Sequence, residues 1–551
     1  MGAGALNFAH RPTLAARWLG RVDYEDGLVF QQRLREGTRS HLLLLEHPHV
    51  YTMGVRTDPS HLLVDPASVR ATACWTDRGG DITYHGPGQL VGYPIIDVPV
   101  GPDSTPSYVH NLESSIIKLL GDYGIDAYTL AEYPGVWVGP TDAPRKIAAI
   151  GVKLSRGRSM HGFALNVHTD LGMFDHIIPC GIADKAVTSM EAEGVRASVA
   201  QVARAYASRF AEAFCFDDLD YQGVDAVDKV ETVSGEQLHG DTSVASRLNQ
   251  RLVKAGFAFA TAVPYVSRKP EWLRSEVHLG QEYRSLKHLV QDLNLVTVCE
   301  EAGCPNIYEC WKDGTATFMI NGERCTRACG FCLVDTSKPL PLDPTEPRHV
   351  AEAVSVLGLN FAVVTAVARD DLSDGGAQAF AETIRQIREL NRGCSIEVLI
   401  PDFKGDHGAL ETVLQARPDV LNHNLETVLR LHRAVRPSAN YVRSLTVLAR
   451  AKDFGLTTKS GLIVGMGESI AELKSVMRDI RSVGVDILTV GQYLRPTRHH
   501  LPVSRYYHPD EFRELRDYAM SLGFRYVEAS PLARSSYHAR QGSDAAAGAL
   551  A

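Results

Sequence analysis

The chain has 551 residues, 44% hydrophobic and 22% charged, the composition of a globular protein long enough for two to four domains. A formal net charge of −8 argues against a general nucleic-acid binder. No apolar run approaches the ~18 residues that a membrane span needs, and residues 1–16 lack the apolar core of a signal peptide, so no membrane role is expected. Six of the ten cysteines fall in two short runs. That is metal and catalytic usage in a reducing, cytoplasmic compartment and not a disulfide framework.

Up to about Tyr221, short apolar runs alternate with helical stretches, and Leu42 to Leu45 is a candidate buried strand. The run Arg78, Gly79, Gly80, Asp81, Ile82, Thr83, Tyr84 and His85 continues into Gly86-Pro87-Gly88, small or ring-fixed residues that let backbone pass close to a ligand. Lys146, then Ala149, Ile150 and Gly151, then Gly162, Phe163 and Ala164, and finally Cys180 follow in order. A thiolate is both a nucleophile and a good leaving group, as acyl transfer from a thioester to an amine requires. A nearby ammonium would favour that thiolate.

Residues 222–264 change texture. Gln222 to Thr242 is polar with few aromatics and reads as linker, with a short helix expected over Ser243 to Ala255. The Ala/Gly-rich residues 541–551 read as a disordered tail.

From Thr315 onward, six strands are expected: Ala316–Ile320, Ala362–Val367, Ile396–Ile400, Val420–Asn422, Thr458–Val464 and Ile487–Gly491. Apolar helical stretches separate most of them, which suggests a partial (β/α)6 barrel. In such barrels the site is built where strands end. The rim motifs supply Arg369, Asp370, Asn424 and Glu468 as candidate cofactor-pocket residues.

Cys325, Cys329 and Cys332 form a CxxxCxxC loop with Phe331 before the last thiol. Three thiolates on one short loop leave one iron of a four-iron cube without a protein ligand, free to bind a chelating molecule. A zinc site normally needs four ligands with a CxxC pair. The spacing resembles the radical S-adenosylmethionine signature. Cys299, Cys304 and Cys310 form a second run just upstream, and Arg534-Ser535-Ser536-Tyr537-His538 stands near the C-terminus.

Together these motifs, from about Val266 to Tyr537, closely resemble lipoyl synthase. The resemblance implies two [4Fe-4S] clusters. Cys325, Cys329 and Cys332 hold the one that binds S-adenosylmethionine; Cys299, Cys304, Cys310 and Ser536 hold the one that donates sulfur. It further implies an electron donor and hydrogen abstraction from carbons 6 and 8 of an octanoyl chain. The earlier motifs, over about Arg17 to Phe214, resemble lipoate–protein octanoyltransferase, with the α/β catalytic domain shared by biotin and lipoate ligases. That resemblance implies Cys180 as the acyl-carrying nucleophile, Lys146 as its partner, and the Arg78–His85, Ala149–Gly151 and Gly162–Ala164 segments as the acyl site. Octanoyl-acyl carrier protein would be the donor. Lipoyl domains of 2-oxoacid dehydrogenase complexes and the glycine cleavage H protein would be acceptors. The expected organisation is a transferase domain over 1–221, a linker over 222–264 and a radical domain over 265–540. The rival reading is an adenylating ligase joined to a non-catalytic iron–sulfur sensor.

Overall fold

The computed structural model describes residues 11–179, 185–224, 243–274, 296–297, 310 and 313–548. Cys180, Cys299 and Cys304, most of the polar run 222–242 and part of the arm over 266–286 lie outside them. The chain divides into two compact units, Met1–Val224 and Asp225–Ala551.

The first unit is a large mixed sheet. Across it lie Phe216–Gly223, Arg11–Arg21, Ser40–Glu46, Gln89–Ile95, Arg158–Asn166, Arg145–Ser155, Tyr133–Val138 and Ala127–Leu130. Ser40–Glu46 contains the expected strand, and Leu42 to Leu45 are fully buried. An unbroken apolar run on a strand means burial on both faces. Leu42 and Leu44 join the core of Leu112, Ile116 and Phe210 from the helices Ser104–Asp122 and Val199–Ala213. A small separate sheet of Thr72–Trp75, Val50–Met53 and Thr83–His85 has its own core of Tyr51, Ile82, Tyr84 and Phe174.

Buried His47 ties the connection after Arg11–Arg21 to the large sheet. Its Nδ1–H donates to the Val22 carbonyl at 2.7 Å, so its Nε2 accepts from the Tyr93 hydroxyl at 2.7 Å. Burial pushes its pKa down to about 4.

In the second unit seven parallel strands stand side by side: Thr315–Ile320, Phe361–Ala366, Ser395–Leu399, Val420–Asn422, Thr457–Val464, Ile487–Gln492 and Tyr526–Ser530. Val296–Thr297 adds antiparallel to the first. Six are the strands expected from the sequence. The seventh was missed because only Val527 in it is buried, and its preceding helix, Pro509–Ser521, buries only Phe512, Leu515 and Ala519.

Two expectations are corrected. The expected disordered tail after residue 540 begins instead in a helix, Ala539–Ala546. Ala539 packs on Phe361 and Val363, Ala546 on Val420 and Ile487, and Gly542 faces Tyr526 and Ile487. Phe361, Val420, Ile487 and Tyr526 each begin a strand, so the helix covers that end of the barrel and only small side chains fit beneath it. The linker, too, ends sooner than residue 264. The helix Ser243–Lys254 packs against Leu429–Val435, Leu252 is fully buried, and the Ala255 carbonyl accepts from Arg430 at 2.5 Å.

Lys459 and Glu397, both buried inside the barrel, pair at 3.0 Å, and Asn422 donates to the other Glu397 oxygen at 2.8 Å. Removing one partner strands a buried charge. Glu397→Ala should therefore destabilise the second unit by about 3–5 kcal/mol, and Glu397→Leu with Lys459→Met by much less, read from denaturant unfolding. The first unit should lose stability as pH falls from 6.5 toward 4. An unfolded His47 takes up a proton near its ordinary value of 6.5, and the folded one does not until about 4. Melting temperature followed from pH 7 to 4.5 should fall less steeply in His47→Gln.

Candidate active sites

In the first unit, the loop after Thr72–Trp75 lies across Arg145–Ser155. Gly79 N–H donates to the Val152 carbonyl at 3.1 Å, and a Cβ on Gly151 would stand 3.0 Å from the Gly79 carbonyl. Two glycines thus allow backbone to lie on backbone. Arg78 holds the loop in place, donating to the Thr52 carbonyl at 2.6 Å and to its hydroxyl at 3.0 and 3.1 Å.

The cleft that results is lined by Arg78, Gly79, Gly80, Thr83 and His85, by Ala149, Ile150 and Gly151, and by Gly162, Phe163 and Ala164. Three separate segments singled out in the sequence therefore share one cleft. Asp81, Ile82 and Tyr84 do not line it. Alternation along a strand sends Thr83 and His85 one way and Ile82 and Tyr84 the other, into the small sheet's core. Asp81 instead binds His61 Nδ1 at 2.6 Å.

Tyr24, Tyr93 and His161 also line the cleft. The sequence reading does not assign them to the site: His161 opens the run that continues into Gly162–Ala164 but is left off it, and nothing in the local spacing of the two tyrosines sets them apart. His161 has a left-handed φ of 58° and its Nε2 lies 2.7 Å from Asp77. His85 Nδ1–H donates to Gln89 Oε1 at 2.8 Å, since Gln89 spends its amide hydrogens on Tyr84 and Asn166. Burial, then His47 and Arg78, press the His85 pKa down to about 3, so the ring is neutral with Nε2 as an acceptor.

Lys146 stands near the start of the same strand that carries Ala149 to Gly151. Its ammonium lies 4.7 Å from the centre of the Trp137 ring. It also acts on Glu113, whose carboxyl is raised by burial and lowered by the bond from Gly135 N–H. Cys180 lies outside the described residues.

In the second unit, the Cys325–Cys332 loop follows the first parallel strand. Cys325 Sγ accepts from Arg327 N–H at 3.4 Å and Ala368 N–H at 3.3 Å. Amides aimed at sulfur tune a thiolate that ligates iron. The loop is fixed further by Thr326 N–H on the Ala368 carbonyl and Gly330 N–H on the Val435 carbonyl. Burial pushes the Cys332 thiol up to about 11 and raises Cys329. Three thiols on one loop, with backbone donors already placed, fit a cluster that supplies its own positive charge.

Each rim candidate has a local task. Arg327, inside the cysteine loop, grips Asp370 with two bonds of 2.8 and 2.9 Å and reaches Asp402 at 2.7 Å. Burial favours a neutral Asp402, yet Arg327 and His423 hold its carboxyl below the usual range. Arg369 forks onto Asp371 at 2.9 Å and donates to the Asn321 carbonyl. Glu468 accepts from Gly465 and Met466 N–H and so closes its own turn. Asn424 donates to Ser535 Oγ at 2.7 Å, while its buried Oδ1 has no hydrogen-bond partner.

Cys310 and Ser536, far apart in sequence, line one cavity of about 290 Å³ with Asp313, Thr315, Tyr537, His538 and Gln541. Thr315 Oγ1 and Gln541 Oε1 are buried there without partners. A thiol, a hydroxyl and unsatisfied polar atoms around one space fit the donor set expected of a second cluster. Cys299 and Cys304 lie outside the described residues.

Residues 23–211 match the lipoyl protein ligase A/B catalytic domain, 260–304 the N-terminal domain of lipoyl synthase, and 319–480 the radical SAM superfamily. Lipoyl synthase of Mycolicibacterium smegmatis is 55% identical over 274 residues, 50% of this chain and 87% of that protein. Lipoyl synthase of Koribacter versatilis is 56% identical over 275 residues, 50% of this chain and 90% of that protein. A solved structure from the bipartite lipoate protein ligase and E2 lipoyl domain of Thermoplasma acidophilum is 17% identical, with a TM-score of 0.34 over 39% of this chain and 88% of that one. That likeness is too distant to bear on function. S-adenosylmethionine and iron–sulfur chemistry come with the matched family. The chain belongs to the lipoyl synthase family of radical S-adenosylmethionine enzymes, and it carries a lipoyl protein ligase A/B catalytic domain ahead of the synthase.

Proposed function

We propose that the chain performs two consecutive steps of lipoyl assembly. The first unit moves an octanoyl group from octanoyl-acyl carrier protein to the lysine of a lipoyl domain. The second inserts sulfur at carbons 6 and 8 of that bound chain. The observation supporting the first step is the single cleft assembled from the Arg78 loop, Ala149 to Gly151 and Gly162 to Ala164, with Lys146 on the strand that forms its wall.

Cys180 attacks the donor thioester, the carrier thiolate leaves, and the octanoyl group rests on Cys180. The lipoyl-domain amine then displaces Cys180 and forms the amide. Lys146 favours the thiolate form of Cys180 and passes the proton between thiol and leaving group. Its contact with the Trp137 face keeps the ammonium beside an apolar wall, where its charge is less screened.

For the second step, Cys325, Cys329 and Cys332 would hold one cluster, and Cys299, Cys304, Cys310 and Ser536 a second. When bound, the first cluster and S-adenosylmethionine supply hydrogen abstraction from unactivated carbon, and the second supplies sulfur. Ser536 is a hard oxygen ligand among soft thiolates, and so the one most easily given up. Arg327, gripped by Asp370 and Asp402, fixes the first cysteine loop against the rim. The partners are lipoyl domains, carrier protein and an electron donor, in the cytoplasm.

Cys180→Ser should abolish octanoyl transfer and leave sulfur insertion intact on a lipoyl domain octanoylated beforehand. Lys146→Ala should slow transfer and raise the pH at which Cys180 is alkylated. Mass analysis of the lipoyl domain, with carrier-bound octanoate or with octanoate and ATP, separates transferase from adenylating ligase. Transfer that persists in Cys180→Ser, or that requires ATP, would overturn the first assignment.

Cys304→Ala should still cleave S-adenosylmethionine under reduction while losing sulfur insertion, because the two reactions draw on different thiols. Dithiolated product from that variant, counted by mass, would mean the sulfur comes from elsewhere.

A further inference from the structure

The segment 531–538 reaches two places at once. It is pinned behind by the sixth parallel strand: Gln492 N–H donates to the Pro531 carbonyl at 3.3 Å, and Gly491 lies so close that a Cβ there would stand 2.1 Å from the Ala533 carbonyl. Ahead, His538 Nδ1 lies 2.8 Å from Glu528, and the helix Ala539–Ala546 begins. Between these anchors, neighbouring serines have different partners. Ser536 lines the cavity with Cys310 and with Thr315 of the first parallel strand. Ser535 accepts from Asn424, just past the fourth parallel strand. Asn424 Oδ1, buried and unsatisfied, remains available for a donor at the rim.

We propose that Ser535 is a positioning residue whose hydrogen bond with Asn424 registers the Ser536-bearing segment against the rim of the radical site, so that hydrogen abstraction and sulfur delivery stay coupled. This rests on the reading that Ser536 binds the second cluster. One backbone unit separates the two hydroxyls, so a segment that releases Ser536 also turns at Ser535 unless Asn424 holds it. The bond therefore maintains the alignment of the segment during the step in which its neighbour lets go. The rim loop of Asn424 is itself held by Arg436, which donates to the Asn424 and Leu425 carbonyls at 2.8 and 3.2 Å.

The test compares Ser535→Ala, Ser535→Thr, Asn424→Ala and the double alanine variant as full-length holoenzyme. Two quantities are read: amide hydrogen exchange of a peptide spanning 531–538, and 5′-deoxyadenosine released per lipoyl group formed. Loss of one hydrogen bond should raise exchange in Ser535→Ala by about fivefold, and the deoxyadenosine ratio should rise with it. Ser535→Thr, which keeps the hydroxyl, should restore both. The double variant should exchange no faster than either single one, since both remove the same contact. Unchanged exchange and ratio in Ser535→Ala, or additive effects in the double variant, would overturn the proposal. Normal product from Ser536→Ala would overturn the ligand reading and with it the coupling role, whereas the exchange measurement judges the Ser535–Asn424 contact by itself.

Discussion

A buried guanidinium organises the second unit. Arg327 sits in the middle of the cysteine loop, and its positive charge is met by two carboxylates from the rims after the second and third parallel strands. Asp402 is buried, so loss of Arg327 would leave its charge poorly met, and the shared guanidinium ties loop and rims together. The amides of Arg327 and Ala368 that face Cys325 owe their placement to the same arrangement. Lys404 joins it by donating to the Asp370 carbonyl at 2.9 Å. The cysteine loop carries the three thiols, and this ion-pair cluster gives the loop a fixed orientation.

The first unit solves a different problem. Where the Arg78 loop lies on Arg145–Ser155, its cleft is walled by backbone and glycines. Polarity is confined to groups whose state is set by burial. His85 and His47 stay neutral, and Arg78 spends its hydrogens on Thr52 and on the Gly79 carbonyl. Lys146 is placed where an aromatic face, not a carboxylate alone, meets its charge.

Much of this was legible in the sequence because the signals were strong. Parallel strands buried on both faces read as apolar runs, and six were found nearly residue for residue. Thiol spacing and the glycine-rich loop needed no tertiary information. What escaped depended on it. Tyr526–Ser530 has too little burial to show a pattern, and Ala539–Ala546 uses small residues that look like a loose tail until the barrel end beneath them is seen. Strand alternation divided the Arg78–His85 run between a cleft and a core, a split invisible in a motif read as a block. Arg369 and Glu468 proved to be tied into their own loops, and only hydrogen-bond partners reveal that.

The pairing of Phe216–Gly223 with Arg11–Arg21 carries a consequence for biosynthesis. The first unit's sheet is finished by a strand that leaves the ribosome well before the cysteine loops do. That unit can complete its core, and bury its apolar edge, while the rest is still being translated. The barrel cannot do the same: its seventh strand and the small-residue helix beneath it are made after the other six strands. Until they emerge, the interior surfaces around Phe361, Val420 and Ile487 lack their cover. The order of elements along the chain thus leaves the second unit with uncovered apolar surface for longer during synthesis than the first.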